Sequence, residues 1–114
     1  MSKPVGPYTP IVRGGDLLFT AVQVGIADGA IVEGGLEAEL RQVFVNLLSV
    51  LSSANASLAD VVKTTVFFVD MDDYATMNEI YMEEFGDHRP ARSAVAVAKL
   101  PLGAQVEIEA IATV

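Results

Sequence analysis

The 114-residue sequence predicts an α+β fold of order β-β-α-β-α-β-β, with two helices covering one face of a sheet. Three observations predict it. Residues 36–54 and 74–85 repeat apolar side chains at helical spacing. Residues 61–69 and much of 93–112 are runs of β-branched, aromatic and small residues. Gly-, Asp- and Pro-centred turn signals separate the runs.

Taken in order, Ile11 to Arg13 and Asp16 to Val24 flank Gly14-Gly15 and read as a hairpin. Ala27-Asp28-Gly29-Ala30 is a second turn. Positions 36, 40, 43, 44, 47, 50, 51 and 54 form one apolar helical stripe, ending at Asn55 to Asp60. Val61 to Val69 is a strand. Asp70, Asp72 and Asp73 supply a helix cap and a negative first turn. The second helix carries Tyr74, Met77, Ile80, Tyr81 and Phe85 as its stripe and stops at Gly86. The stretch from Pro90 to Ala112 reads as a closing hairpin around Leu100-Pro101-Leu102-Gly103.

Length implies one domain over residues 1–114. Strand patterning suggests more than one copy. Val62, Val66 and Phe68 alternate with Val61, Phe67 and Val69, so both faces of that strand read as apolar. A sheet with one solvated face alternates apolar with polar. A closed homo-oligomer covering the second face fits this pattern; a poorly patterned edge sheet is the alternative.

Composition removes several chemistries. The absence of cysteine excludes disulfides, thiolate catalysis and cysteine–zinc sites. A net charge of −8, with 7 basic residues among 15 acidic ones, argues against nucleic acid as a partner. Residues 1–10 lack the apolar core of a signal peptide, and no run approaches a membrane span, so the expected setting is cytoplasmic with no membrane partner. Asn55-Ala56-Ser57 fits a glycosylation sequon, which has no meaning without secretion. His88 is the single histidine and has no carboxylate cluster at ligand spacing, so no metal site is expected. Gly14-Gly15 and Gly34-Gly35 lack the spacing and the lysine of phosphate loops, and no serine nucleophile motif occurs.

Arg92, Glu107 and Glu109 are the charges on the two strands of an otherwise small and apolar closing segment, which also carries Lys99 beside its turn. An arginine reaching a pocket grips a carboxylate through two parallel hydrogen bonds. A half-buried glutamate can polarise water. On pattern alone, surface charge or a structural salt bridge stays open for all three, and Glu109 reads as structural.

The segments "GPY" (6–8), "LRQVFVNLLSVLSSANASLADVVKTTVFFVDMDDYATMNEIYMEEF" (40–85), "PARSAVAVAKLP" (90–101) and "VEIEAIA" (106–112) resemble the RidA/YjgF/UK114 family of reactive-intermediate deaminases. The resemblance implies a chorismate-mutase-like fold with an antiparallel-rich mixed sheet. It also implies a homotrimeric barrel with sites between subunits. Active relatives hydrolyse enamines and imines such as 2-aminoacrylate and 2-iminopropanoate to 2-keto acids and ammonia, without a cofactor. By the same resemblance Arg92 holds the substrate carboxylate and Glu107 positions the attacking water. Tyr8 and Asn78 line the cleft.

Three departures bear on the substrate. Ala21-Val22-Gln23 stands where the family usually reads Ser-Gly-Gln, Ala94 where cysteine is frequent, and Arg89 where an aromatic is common. Ala21, Val22 and Ala94 therefore join the candidate substrate-binding residues. Arg89 either adds a cation at the cleft mouth or points to solvent. The rival readings are a non-catalytic binder of small carboxylates such as 2-keto acids, a ribonuclease or translation inhibitor, and a deaminase of 3-aminoacrylate.

Overall fold

Backbone hydrogen bonding in β6 (Val61–Phe68) organises the molecule, because this strand is paired along both edges. The computed structural model describes Pro4 and residues 6–114, so the reading of residues 1–10 as lacking a leader falls partly outside the described residues. On one edge β6 pairs antiparallel with β8 (Val106–Thr113), and on the other it pairs parallel with β7 (Ala91–Ala96). β8 also receives β2 (Leu17–Thr20), which forms a hairpin with β1 (Ile11–Gly14), and the short β3 (Gln23–Val24). The path β1-β2-β8-β6-β7 with β3 beside β8 makes a six-stranded, mostly antiparallel sheet. A separate ribbon, β4 (Ile26–Ala27) and β5 (Ala30–Ile31), closes on the Asp28-Gly29 turn.

The closing hairpin is corrected by this order. β7 and β8 are not paired with each other; β6 lies between them. A helical crossover between β6 and β7 delivers the second strand parallel to the first. The Pro101–Gly103 segment is then a single 3₁₀ turn, with Leu102 left-handed at φ 61°, that carries the chain around the end of β6. Val97 N donates to Phe68 O (2.8 Å) and Val69 N to Gln105 O (3.2 Å), tying both sides of this loop to that strand end.

Two helices cover one face. In α1 (Gly35–Ser52) the stripe Leu40, Val43, Phe44, Leu47, Val50 and Leu51 is buried, as the spacing predicts. In α2 (Tyr74–Phe85) Met77, Ile80, Tyr81 and Phe85 are buried, while Tyr74 is 40% exposed. Asp70 caps a 3₁₀ turn, accepting from Asp72 N (2.9 Å), and that turn runs into α2. Both stripes pack with Leu18, Val61, Val66, Phe68, Val106, Ile108, Ala110 and Ala112. Each large side chain so buried contributes about 1.5–3 kcal/mol relative to exposure.

Strict alternation along β6 is also corrected. A β-bulge between Val61 and Lys63 turns Val61 toward the helices with Val66 and Phe68, and leaves Val62 44% exposed. The opposite face presents Phe19, Lys63, Thr65, Phe67, Val95, Glu109 and Ile111, none of them buried by this chain. Among the described residues, no helix is long and apolar enough to cross a membrane.

The expected strand from Asp16 to Val24 is interrupted at Ala21-Val22. There the Thr20 hydroxyl accepts from Ala110 N (3.0 Å) in place of a ladder bond. β3 is then held from behind. Asn46 of α1 donates to Val24 O and Ile26 O, both at 2.9 Å. Between these carbonyls Gly25 meets the helix so closely that a Cβ would lie 2.6 Å from Glu39 O. This contact fixes β3 against β8 at Glu107.

Candidate functional site

Register decides which way the candidate side chains face. Arg92 sits opposite Thr64, whose side chain is fully buried on the helix side, so Arg92 projects under α2 at the sheet edge. Its guanidinium donates to Asn78 Oδ1 (2.8 Å) and Tyr74 OH (3.1 Å), with Met77 Sδ 3.9 Å from Nη1. Cζ lies 4.9 Å from the Tyr81 ring centroid and 5.7 Å from that of Tyr74. Residues 74, 78 and 81 share a helix face, which is why one helix supplies the whole cradle. Tyr81 is anchored by a 2.7 Å bond between its hydroxyl and Thr64 Oγ1, and burial raises its pKa, keeping the phenol neutral.

Among the described residues the ion pairs all belong to Arg41, which links α1 to α2 through Glu83 and Glu84 and also pairs with Glu37. Arg92 is thus a half-buried cation held by neutral acceptors and aromatic faces. A guanidinium has five N–H donors. Asn78, Tyr74 and the weak acceptor Met77 take three, which leaves two for an anion. Ala94, two residues on and facing the same way, keeps the wall beside Arg92 small.

Glu107 belongs to a different half. It sits opposite Phe67 on β6 and Val24 on β3, on the face turned away from the helices. The residue is 7% exposed, and Oε2 has no hydrogen-bond partner among the described residues. Burial raises its pKa, and the neighbouring carboxylate of Glu109 acts in the same direction. Ala21 and Val22, both partly buried, lead into β3 and so into this half. Ala21 N donates to Pro10 O (2.8 Å), which brings the segment carrying Tyr8 to the same end of the sheet. Tyr8 is 42% exposed.

The two halves do not meet within one chain. β6 separates β7 from β8, about 10 Å across, and Thr64 and Phe67 mark levels about 10 Å apart along it. Arg92 and Glu107 also face opposite sides of the sheet. The structure joins Arg92, Asn78 and Ala94, and separately places Glu107 beside the strand that follows Ala21-Val22.

Other expectations resolve locally. Arg89 is exposed and donates to Gly86 O and to His88 O, so it closes the turn after α2. His88 Nε2 lies 2.7 Å from Val61 O, so Nε2 carries a hydrogen and donates to that carbonyl. Gly15, Gly34 and Gly35 have positive φ, as turns require. Sequence reasoning missed Tyr74 and Tyr81 as neighbours of Arg92. Their spacing from Asn78, four residues before and three after, was the available signal.

Comparison with known proteins bears on what such a divided site belongs to. The family model described as Endoribonuclease L-PSP matches residues 1–114. A RutC family protein of Pyrococcus horikoshii is 47% identical over 112 residues, covering 96% of this chain and 89% of the relative. The Mus musculus protein named 2-iminobutanoate/2-iminopropanoate deaminase is 44% identical over 110 residues, covering 95% and 82%. The crystal structure of E. coli TdcF with bound serine aligns with a TM-score of 0.89 at 35% identity, covering 97% of this chain and 91% of that one. Sequence and fold agree over nearly the whole length, and the chain belongs to the endoribonuclease L-PSP family, the RidA/YjgF family.

Proposed function

We propose that this protein is an enamine/imine deaminase, hydrolysing 2-aminoacrylate and 2-iminopropanoate-type compounds to 2-keto acids and ammonia. The observation that carries the reading is Arg92, a half-buried guanidinium with no acidic partner among the described residues and with donors left for a carboxylate. The name of the mouse relative and the serine bound to TdcF support it, since serine, like the proposed substrate, carries an α-carboxylate beside a nitrogen.

In this mechanism Arg92 fixes the carboxylate and the enamine tautomerises to the imine. Glu107 accepts a proton from a water as its oxygen bonds to the imine carbon, forming a carbinolamine. That proton completes the amine of the carbinolamine; the hydroxyl then gives up its own proton, carried by Glu107 to the same nitrogen, as the C–N bond breaks, ammonia leaves and the C=O forms. Orientation and a modest electrostatic contribution suffice for so reactive an electrophile. A raised Glu107 pKa suits a base working near neutrality.

Because Arg92 and Glu107 face opposite sides of the sheet, one substrate contacts both only if they come from different subunits. The geometry asks for a ring of subunits, and the family resemblance makes that ring a cyclic homotrimer. The β7–α2 edge of each subunit meets the β3–β8 region of the next, and the sheet faces left open by the helices turn inward. Such a heterologous contact closes into a ring.

The wild-type protein, added to an amino-acid oxidase that makes 2-imino acids in situ, is expected to accelerate keto-acid and ammonia release. Saturable 2-keto acid binding without acceleration would instead favour the non-catalytic carboxylate binder, a reading supported by partly buried Val22 where the family usually has glycine. Neither binding nor acceleration would refute both.

A further inference from the structure

We infer that Tyr74 is a second carboxylate-binding residue, its phenol O–H donating to the anion held by Arg92. This rests on the reading of Arg92 as the carboxylate anchor.

The phenol oxygen already accepts from Arg92 Nη2 at 3.1 Å. One of its lone pairs is thus engaged and its proton is left to donate. Accepting from a cation polarises the O–H and makes it a better donor. A carboxylate oxygen bonded to the same Nη2 has the phenol oxygen beside it. Tyr74 stands at the outer end of the cradle, 40% exposed, where a ligand reaches Arg92 from solvent. Its ring is not free to leave. It packs against the buried Phe68, centroids 6.2 Å apart, and lies one helical turn before Asn78, which holds the other side of the guanidinium. Asn78 contributes its carbonyl oxygen to Arg92 and so orients the cation. Tyr74 places both functions on one oxygen, so the donor it offers the anion sits directly beside Nη2.

A contact of this kind binds ground state and transition state alike, because the carboxylate keeps its charge throughout. It therefore acts on KM and on ligand affinity, with kcat little changed. Tyr74→Phe keeps the ring, its packing on Phe68 and its position over the guanidinium, and removes only the hydroxyl. Two readouts on the whole protein test the inference: the calorimetric Kd for pyruvate, and KM and kcat for 2-iminopropanoate. The expected result is a roughly tenfold rise in both Kd and KM, with kcat within about twofold of wild type. An unchanged thermal midpoint and elution volume would show that folding and assembly are intact. Kd and KM unchanged, or a tighter Kd, in an otherwise active protein would overturn the inference, the latter by showing that the hydroxyl competes with the ligand. A wild-type protein that neither binds pyruvate nor turns over imine overturns the Arg92 reading, and this inference with it.

Discussion

Replacing Arg92 by alanine is expected to lower kcat/KM for 2-iminopropanoate by at least about a hundredfold, with the assembly unchanged. Hydrogen bonds to charged groups contribute about 1.5–3 kcal/mol each, and a bidentate carboxylate loses two of them together with its counter-charge. The cradle explains why the fold should survive. The guanidinium's partners are Asn78 and the partly exposed Tyr74, neither of them charged, so truncation strands no buried ion. Arg92→Lys is expected to stay well below wild type, since an ammonium retains the charge but not the fork. Imine hydrolysis monitored by keto-acid release, beside size-exclusion chromatography, checks both statements. Near-wild-type activity in Arg92→Ala would remove the anchor from the account.

The second large effect is expected at Glu107. Glu107→Gln keeps the shape and removes the base, and kcat should fall by about 10²- to 10⁴-fold while the Kd for pyruvate changes little. The pH dependence separates a base from a packing residue. Burial and the neighbouring Glu109 charge both raise the Glu107 pKa, so the acid limb of the rate profile belongs above the ordinary carboxylate range. Glu109→Gln removes one of these two causes. The Glu107 pKa then falls, the base stays ionised to lower pH, and the acid limb should move to lower pH. A limb that moves to higher pH, or disappears, in Glu109→Gln would argue against Glu107 as the titrating group.

Much of this was legible from residue pattern. The α1 stripe and most of the α2 stripe are periodic enough to read directly, and the family resemblance marks Arg92, Asn78 and Glu107. Strand pairing was not legible in the closing segment. Pro90 to Ala112 has two strands and a proline turn, the local grammar of a hairpin, yet β6 takes the position between them. Only long-range competition for the edges of β6 decides that, and no local signal encodes it. The bulge at Val61 is similar: one extra residue reverses which valine is buried, and alternation cannot reveal it. The spacing of Tyr74 fits the apolar stripe and predicts a core position. Tyr74 lies at the start of the helix, packed on Phe68 at the end of β6 but 40% exposed, and there it meets Arg92. The outcome matters for function, because moving β7 to the far side of β6 is what divides Arg92 from Glu107.

That division is the central claim, and subunit mixing tests it most directly. Arg92→Ala and Glu107→Gln proteins, each inactive alone, are unfolded together in equal amounts and refolded. In a ring where every site takes Arg92 from one subunit and Glu107 from the next, a site is intact when the first subunit carries only the Gln change and the second only the Ala change. Random assembly makes about a quarter of sites intact, so activity should return to about 25% of wild type. Activity no greater than the sum of the two separate variants would contradict the account, placing both groups in the same subunit's site.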